Sequence, residues 1–555
     1  MKKIKIYLFC LLISITNVII SNAQVKETPK LKISDEIKKI LAKYDFKNGP
    51  GISLAIMKDG ETLYKKGFGI ANLEYDIPIT PKTSFHVASV SKQFTVFSIL
   101  LLEQDGKLSI DDDIRKYLPE MPIYENKITI RNLANHTSGI RDESALNNLL
   151  GTSESDLITN EQVVKLILNQ KSLNFKPNDE FEYCNSGYGL LAEIVKRVSG
   201  KSFAEFTKSR IFEPLKMKNS QFIDDAEIIV KNLAYSYHKT NNIYYKTIMN
   251  NSILGSTGLT TTTEDLSLWA MNFEKKTIGN DAIFNKMKQK GRLNNGEIIP
   301  YGLGLENQVY KGLDVVFHGG GIADYGSRIL MIPKHNFSIV FMCNSHSFHP
   351  FDIVYKIVDL FLKDKQTKLP LTTINKSLLE NYVGDYEIFP GYVFSFSKLN
   401  DALYQQVKGD DNKVTLIQTN DNEFVFPNFP HSKFVFEKTV GQNSTFLKWH
   451  LSDFSYKGKR IILKEFEKEK INLNEIVGMY YNSELNTNYN FVIKENALIA
   501  THGKNAETIL IAFQPDFYVC NIGAIEIIRN EKNIVIGFNL LRQGIKSMKF
   551  EKINE

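Results

Sequence analysis

The chain of 555 residues is 43% apolar and 23% charged, which at about 150 residues per domain predicts two to four domains with ample core. This composition excludes a disordered or fibrous protein. The formal net charge is +6, and Lys2, Lys3 and Lys5 lie in a predicted targeting segment, so the mature chain would carry about +3. Since no dense Lys/Arg run with interleaved aromatic residues occurs, we expect no nucleic-acid partner.

Four cysteines, Cys10, Cys184, Cys343 and Cys520, are spread along the chain. They are too few and too scattered for a disulfide scaffold or a CxxC-type zinc site. Packing must therefore hold the cores together, and we expect the last three cysteines to be buried thiols.

Residues 1–23 have the organisation of a secretory signal peptide. A basic start precedes an apolar run of about 15 residues, and the small residue Ala23 stands before Gln24. The alternative is an uncleaved membrane anchor. The run is shorter than the roughly 20 apolar residues that a span needs, and it contains Thr16 and Asn17. We expect an exported protein, periplasmic or secreted, without a membrane span after cleavage.

Residues 24–367 predict one α+β domain, in which strands at both ends form a single antiparallel sheet around an inserted helical region. A helix from Ser91 to Asp105 is apolar around most of its circumference, so it must be buried, and Gly106 closes it. The other predicted elements are two strands within Gly51–Phe68, helices at Glu161–Leu168, Tyr188–Ser199, Thr263–Phe273 and Phe351–Leu362, and strands at Asp314–His318, Arg328–Ile332 and Phe337–Cys343.

Beyond residue 367 the helical signals stop, and alternating strand patterns rich in aromatic residues follow. An internal repeat divides this part of the chain, because LENYVGDY at Leu379–Tyr386 recurs as LNEIVGMY at Leu473–Tyr480. The repeat predicts two small all-β domains, 368–467 and 468–555, each long enough for a barrel or lipocalin-like fold. The alternative is that both copies merge into one sandwich.

The sequence Ser89-Val90-Ser91-Lys92 stands at the start of the buried helix. Residues three apart lie on one helix face, so the Ser89 hydroxyl and the Lys92 amine can touch. An amine whose pKa is lowered by burial can accept the serine proton, which is the activation that acyl transfer requires. The spacing alone recurs by chance, but the apolar helix behind it argues against a merely solvated Lys92.

Two further motifs follow along the chain. Tyr183-Cys184-Asn185 lies in a predicted loop just before the Tyr188–Ser199 helix, and His318-Gly319-Gly320-Gly321 ends an apolar strand. Neither motif indicates a function by itself, so the prediction depends on their order and spacing along the chain.

Together these motifs resemble the serine β-lactamase and penicillin-binding protein superfamily, in the branch of class C β-lactamases, D-alanyl-D-alanine carboxypeptidases, D-aminopeptidases and related esterases. The pattern of that family is SxxK, then YxN, then K/HxG, and all three occur here in order. Similar accessory segments are Gly106–Asp112, Tyr117–Pro119, Ile130–Leu133, His136–Gly139, Ser256–Leu259 and Tyr301–Gly304. The resemblance covers roughly residues 35–365 and implies a β-lactamase/transpeptidase-like fold.

The resemblance implies a role for each matched residue. Ser89 would be the nucleophile and Lys92 its proton partner. Tyr183 would be the general base and a proton shuttle to the leaving group, with its phenol pKa lowered by the Lys92 cation. Asn185 would hydrogen-bond Lys92 and a substrate amide, and the backbone N–H groups of Ser89 and Gly321 would form the oxyanion hole.

His318 stands where most class C β-lactamases have lysine. Because histidine carries a full charge only part of the time near neutral pH, the binding of a substrate carboxylate should be weaker and pH-dependent. The glycine-rich edge, with Gly320 at its centre, would let a substrate lie alongside the strand. This departure favours a peptidase or an esterase over an efficient β-lactamase.

Other departures from the family pattern concern substrate preference rather than the acyl-enzyme chemistry. Asp324-Tyr325 stands where many relatives have Gly-Phe, and Asn178 where a glycine usually follows the proline. By analogy with family members that carry additional β-domains, Gly391–Phe396 or Asn486–Asn488 could reach the cleft.

Cys343, His346 and His349 fall at three-residue intervals, which superficially suits a metal. No fourth ligand is indicated nearby and the implied mechanism needs no metal. We therefore expect no metal and no other cofactor.

The leading interpretation is an exported serine hydrolase that forms an acyl-enzyme on Ser89 with a peptide, amide or ester. The expected substrates are D-amino-acid-containing peptides, cleaved as a carboxypeptidase or aminopeptidase, or small esters. One alternative is a penicillin- or wall-peptide-binding protein without efficient turnover, and a further alternative is a class C-like β-lactamase. The sequence leaves the oligomeric state open.

Overall fold

The computed structural model describes residues 29–553 apart from positions 154, 368–374, 428, 438–442, 452–453, 464–465 and 468–470. The predicted signal peptide and Cys10 lie outside the described residues. Among the helices that are described, none has both the length and the apolar character needed to cross a membrane.

A six-stranded antiparallel sheet forms the centre of the N-terminal domain. Its strands are β1 (Ile52–Lys58), β2 (Glu61–Phe68), β3 (Glu306–Tyr310), β4 (Leu313–Ile322), β5 (Tyr325–Ile332) and β6 (Phe337–Cys343). Their order across the sheet is β3-β4-β5-β6-β1-β2, so the two ends of the domain meet at β6 and β1. The prediction of one sheet assembled from both ends of the domain is confirmed.

Helices cover this sheet and fill the region between β2 and β3. They are α1 (Pro29–Leu41), α2 (Ser91–Gln104), α3 (Ile130–Ala134), α4 (Glu143–Leu149), α5 (Asn160–Leu168), α6 (Asn185–Ser199), α7 (Phe203–Thr207), α8 (Thr263–Lys275), α9 (Asp281–Lys288) and α10 (Pro350–Leu362). α1 and α10 pack on one face of the sheet, and α8 packs on the other. Because both faces are covered, β5 and β6 are buried along their whole length and have continuous apolar sequences.

Helix α2 lies in the apolar core on the face of the sheet that α8 covers. Every residue from Ser91 to Leu102 is buried, as expected for a helix that is apolar all round. Gly106 follows it with a φ of 71°, the left-handed conformation that favours glycine after a helix end.

Short strands complete the inserted region. The pairs are Ile70–Asn72 with Ile77–Pro78, Ile158–Thr159 with Asn251–Ser252, and Ser236–Thr240 with Ile243–Thr247, and a three-stranded sheet joins Ser84–His86, Leu259–Thr262 and Gln221–Phe222.

The C-terminal part of the chain forms two separate all-β barrels. The first barrel, residues 384–461, is nearly closed, and its strands are Gly384–Phe389, Tyr392–Leu399, Ala402–Val407, Lys413–Thr415, Ile417–Asn420, Glu423–Phe426, Phe429–Phe436, Phe446–Leu451 and Phe454–Ile461. The second barrel, residues 478–553, is closed, and its strands are Gly478–Asn482, Thr487–Lys494, Ala497–Thr501, Thr508–Gln514, Phe517–Cys520, Gly523–Arg529, Val535–Arg542 and Ile545–Ile553. This confirms the predicted pair of β-domains and excludes a single sandwich.

The described cysteines carry free thiols, buried at Cys184 and Cys343 and half-buried at Cys520. The predicted boundaries at 367/368 and 467/468 adjoin segments outside the described residues, so they stay predictions.

Candidate active site

Ser89 and Lys92 lie at the N-terminal end of α2. Ser89 occupies a 3-10 turn, Ala88–Val90, that leads directly into the helix, and Lys92 is fully buried one turn later. Lys92 Nζ donates hydrogen bonds to Ser89 Oγ at 3.0 Å, to Asn185 Oδ1 at 2.8 Å and to the carbonyl oxygen of Ser256 at 2.9 Å. The structure therefore brings together Ser89, Lys92 and Asn185, although Asn185 is far from them in sequence.

Burial controls the charge on Lys92. It lowers the pKa of the Lys92 amine to about 7, and the carboxylates of Asp142 and Glu143 oppose this shift only in part. At neutral pH a substantial fraction of the amine is therefore unprotonated. An unprotonated Nζ at 3.0 Å from Ser89 Oγ can accept the hydroxyl proton and generate the nucleophile.

The residue before Ser89 has an unusual backbone conformation. Ala88 has a φ of 46°, in the left-handed region, which costs a non-glycine residue of order 1 kcal/mol or more. Its neighbour Val87 is held on both sides, because its N–H donates to the Leu259 carbonyl at 3.1 Å and its carbonyl accepts from Ser327 Oγ at 2.8 Å. These contacts hold Ser89 at the surface of the cleft.

Tyr183 contacts both partners of the first motif. Its side chain hydrogen-bonds that of Ser89, and the Lys92 Nζ lies 4.9 Å from the centre of its ring. Burial raises the pKa of Tyr183 well above its usual range. The prediction that the Lys92 cation lowers this pKa is therefore wrong in direction, because desolvation of a phenolate outweighs the attraction of one neighbouring cation. Lys92 is the better base, and neutral Tyr183 can relay a proton.

His136 and Asp142 contact the segment that carries Tyr183 and Asn185. His136 Nδ1 accepts the N–H of Cys184 at 3.1 Å, and its ring centre lies 4.3 Å from that of Tyr183. The Asp142 carboxylate accepts the N–H of Asn185 at 2.6 Å. Helix α6 begins at Asn185, three residues before the predicted start at Tyr188. Asn185 is therefore the first residue of the helix and does not lie in the preceding loop.

His318 is neutral and has both ring nitrogens occupied. Its Nδ1 lies 2.6 Å from the Gly319 carbonyl oxygen, which can only accept, so Nδ1 carries the proton and Nε2 accepts from the Tyr301 hydroxyl at 2.8 Å. Burial, assisted by the Lys92 charge, lowers the pKa of His318 to about 3. The predicted partial charge near neutral pH, with pH-dependent carboxylate binding, is therefore wrong.

Gly320 allows β4 to approach the nucleophile closely. A β-carbon added there would lie 2.3 Å from the Val87 carbonyl oxygen and 3.0 Å from the Ser89 backbone nitrogen. At Gly321 the nearest atom to such a carbon would be His346 Nε2, at 3.6 Å, and this residue lines the cleft beside Ser89. That the Ser89 and Gly321 N–H groups form an oxyanion hole stays a prediction.

An open cleft of about 240 Å³ extends from Ser89, and Asn185, Ser256 and Gly321 form part of its wall. Glu143, the first residue of α4, also lines it. Burial and the neighbouring Asp142 raise the pKa of Glu143 to about 8. Sequence reasoning missed this residue, because an acidic side chain in the first turn of a helix is ordinarily a solvated partner of the helix dipole.

The two departures from the family pattern occupy backbone positions that asparagine and aspartate tolerate. Asn178 has a φ of 65°, and its Oδ1 accepts hydrogen bonds from Asn132 and Thr137, each at 2.8 Å. Ala323 and Asp324 have φ values of 45° and 62° in the two-residue turn between β4 and β5.

The structure does not assemble the alternative metal site. Cys343 is buried within β6, whereas exposed His346 lies 3.3 Å from the Tyr325 carbonyl oxygen through its Nε2. Over the described residues, no group of three His, Cys, Asp or Glu side chains could hold a metal ion.

The barrels reach the neighbourhood of Tyr183, but not through the expected segments. Ile388–Pro390 of the first barrel and Arg542–Gln543 of the second line a cavity that Tyr183 also lines. Gly391 instead faces Val519 and Phe517 of the second barrel. Neither predicted segment, Gly391–Phe396 nor Asn486–Asn488, lines this cavity.

Comparison with known proteins identifies the N-terminal domain. The beta-lactamase family model matches residues 37–360. The chain is 29% identical over 299 residues to a D-aminopeptidase of Gluconobacter oxydans, covering 54% of this chain and 56% of that enzyme. It is 28% identical over 397 residues to penicillin-binding protein 4* of Bacillus subtilis, covering 66% of this chain and 85% of that protein. The chain thus spans just over half the length of the D-aminopeptidase.

The fold has a counterpart among solved structures. The octameric penicillin-binding protein homologue from Pyrococcus abyssi superposes with a TM-score of 0.53 and 23% identity, covering 86% of this chain and 99% of that chain. At this identity the likeness concerns the fold alone. The family match covers more than half of the chain, so the chain belongs to the beta-lactamase family, and the comparisons together indicate a serine hydrolase.

Proposed function

We propose that the protein is an exported serine hydrolase that cleaves D-amino-acid amides or peptides through an acyl-enzyme on Ser89. The observation that carries this proposal is the buried Lys92 amine, with its pKa lowered to about 7, at 3.0 Å from Ser89 Oγ. Its two named relatives, a D-aminopeptidase and a penicillin-binding protein, support the same substrate class.

The reaction divides into two steps. Lys92 takes the proton of Ser89 as Oγ attacks the substrate carbonyl, and the backbone N–H groups of Ser89 and Gly321 stabilise the resulting oxyanion. The carbon–nitrogen bond then breaks, and the leaving amine receives its proton through Tyr183. Water attacks the acyl group on Ser89 in the second step and releases the acid.

Glu143 favours a substrate with a free amine. Its carboxyl group is buried in the cleft, and an ammonium ion there would offset the cost of charging it. Across the site, His318 is neutral and cannot attract a carboxylate by charge. An aminopeptidase or amidase therefore fits the site better than a carboxypeptidase.

The first test compares wild type with Ser89→Ala by intact mass after treatment with a fluorophosphonate. We expect one adduct on the wild type and none on the variant. The wild type should hydrolyse D-alaninamide in preference to L-alaninamide, and Ser89→Ala should hydrolyse neither. The fold of the variant should be intact because one cleft hydroxyl contributes little stability. An adduct on Ser89→Ala, or full activity in it, would show that Ser89 is not the nucleophile.

A second test addresses the substrate amine. Glu143→Gln should weaken kcat/KM for D-alaninamide about 10- to 100-fold, the value of a hydrogen bond to a charged group. Hydrolysis of the N-acetylated amide, which carries no ammonium ion, should change by less than about two-fold. Equal losses with both substrates would assign Glu143 a structural role.

Two further candidate properties are tested separately. Because His318 is neutral, turnover of nitrocefin should be slow, and rapid turnover would favour the β-lactamase alternative. If residues 1–23 direct export, the protein collected outside the cytoplasm begins at Gln24, whereas a retained N-terminus would contradict cleavage.

A further inference from the structure

A second cavity lies where the N-terminal domain meets both barrels. It has a volume of about 370 Å³ and is called here the junction cavity. Phe181, Tyr183 and Tyr301 of the N-terminal domain line it together with Phe389 and Tyr456 of the first barrel. The exposed surface of its walls is more apolar than polar, and these five aromatic side chains come from parts of the chain that meet only in the folded protein.

The junction cavity adjoins the reacting groups through Tyr183. Ser89 lines the open cleft, Tyr183 lines the junction cavity, and the two side chains hydrogen-bond each other. Tyr183 therefore links the two spaces, because it lines the junction cavity and hydrogen-bonds the serine that lines the cleft. Glu143, which we assign to the substrate amine, lines the cleft on the Ser89 side.

Several charged groups around the junction cavity already have partners in the protein. Glu180 is ion-paired with Lys546, and Glu182 Oε1 accepts the Gly544 N–H at 2.9 Å. The half-buried Arg542 donates to the side-chain oxygen of Asn148. Glu306 and Lys457 also line the cavity, and the Lys457 ammonium lies 4.3 Å from the centre of the Phe446 ring. The aromatic rings supply the apolar surface that can recognise a ligand.

We propose that the junction cavity is the leaving-group subsite and that it accepts an amine bearing an aromatic or large apolar substituent. This inference rests on the proposed function. As the substrate carbon–nitrogen bond breaks, the acyl group stays on Ser89 Oγ and the leaving nitrogen takes a proton through Tyr183. That nitrogen must lie on the Tyr183 side, so its substituent extends into the junction cavity.

The experiment uses two substrates that differ only in the leaving amine, D-alanine methylamide and D-alanine benzylamide. Tyr456→Ala should lower kcat/KM for the benzylamide about 10-fold or more, because the variant removes an aromatic surface against which the benzyl ring would be buried. In the same variant, kcat/KM for the methylamide should change by less than about two-fold. Phe389→Ala should behave in the same way.

Tyr481→Ala is the matched control, since Tyr481 is an exposed aromatic residue of the second barrel that does not line the cavity. It should leave the ratio of the two kcat/KM values unchanged. If Tyr456→Ala and Phe389→Ala also leave this ratio unchanged, including by lowering kcat/KM equally for both substrates, the junction cavity is not the leaving-group subsite.

A binding measurement separates this inference from the proposed function. Benzylamine, the amine product, should bind to full-length Ser89→Ala protein and bind at least about 10-fold more weakly when Tyr456→Ala is added. If wild type hydrolyses neither substrate, the proposed function fails, and this measurement still decides whether the cavity takes aromatic amines. Benzylamine binding that does not depend on Tyr456 would overturn the inference.

Discussion

Burial sets the protonation state of each ionisable residue in the site. It disfavours charge, so the buried Lys92 amine and the His318 ring lose protons more easily, while Tyr183 and Glu143 hold theirs more tightly. One consequence is that Lys92 is the available base and neutral Tyr183 is the proton donor, whereas the family resemblance implied that Tyr183 is the base. The same principle leaves His318 uncharged, a feature that its residue type alone does not indicate.

The pH dependence of catalysis should follow the protonation of the Lys92 amine. Since the unprotonated amine is the active form, kcat/KM for N-acetyl-D-alaninamide, which does not use the Glu143 carboxyl with its pKa of about 8, should fall as pH drops through an apparent pKa of about 7. His318, with its pKa lowered to about 3, should contribute nothing in this range. The measurement is a pH–rate profile of the wild type beside that of Glu143→Gln, whose acid limb should move to lower pH because the Glu143 carboxylate raises the pKa of Lys92. An acid limb displaced to about pH 4 would contradict the assignment to Lys92.

Gly320 should not tolerate a side chain. The β-carbon of Gly320→Ala would lie 2.3 Å from the Val87 carbonyl oxygen, so β4 and the turn bearing Ser89 must separate. We expect a loss of about 1–3 kcal/mol in the free energy of unfolding, as for overpacked sites, and loss of most activity. Gly321→Ala is the control, because its nearest neighbour is 3.6 Å away and its unfolding transition should be nearly unchanged. Denaturant unfolding measures both variants.

Among the elements, the repeated sequence corresponds to a repeated local structure in the two barrels. Gly384 and Gly478 begin the first strand of their barrels with φ values of 143° and 137°, and Tyr386 and Tyr480 are fully buried two residues later. In each barrel a basic side chain from the last strand lies over the tyrosine ring, at 5.9 Å and 5.7 Å. The repeat therefore encodes the point where each barrel starts.

Gly478→Ala should destabilise the second barrel. A φ of 137° is a conformation that residues with a β-carbon rarely adopt, and such a residue costs about 1–3 kcal/mol. Gly503→Ala is the control in the same barrel, since that glycine has no positive φ and no atom within 4 Å of an added β-carbon. Thermal unfolding followed by circular dichroism should show a lower midpoint for Gly478→Ala alone.

Across the whole molecule, the second barrel packs directly against the helix that borders the cleft. Ala145, Leu146 and Leu149 of α4 belong to the apolar core of the barrel. The Asp142 N–H donates to the Gly544 carbonyl at 3.0 Å, so the turn before α4 is tied to the barrel as well. The barrel therefore helps to position Glu143 and, through Asp142, Asn185.

The buried ion pair between Arg141 and Glu484 connects the two domains at this interface. The charged groups are 2.7 Å apart, and the Arg141 side chain is only 4% exposed. Glu484→Gln leaves a buried guanidinium without its carboxylate, which should reduce the free energy of unfolding by about 3–5 kcal/mol. D-alaninamide hydrolysis should fall as well, because α4 loses an anchor.

Asp111→Asn provides the comparison, since Asp111 forms an ion pair with Arg131 in which the aspartate is 63% exposed. That variant should change stability by less than about 1 kcal/mol. Equal stability of Glu484→Gln and Asp111→Asn in denaturant unfolding would show that the interdomain pair contributes little.

The layout of the fold and the family resemblance could be predicted from the linear sequence. Apolar runs at β1, β5 and β6 indicated buried strands, the continuous apolar surface of α2 indicated a buried helix, and the repeat indicated two β-domains. These features depend on local pattern, which the chain carries regardless of its partners. The motifs around Ser89 and Tyr183 identified the residues for the same reason, because their order survives in the linear sequence.

The electrostatics and the shape of the site could not be predicted from the sequence, because both depend on tertiary packing. The charge states of Lys92, Tyr183 and His318 depend on burial by segments far away in the chain, which no local pattern records. Glu143 enters the site because α4 is held against the second barrel. The junction cavity exists because three domains meet beside Tyr183. Desolvation and cavity shape are properties of packing, so they arise only when the distant parts of the chain come together.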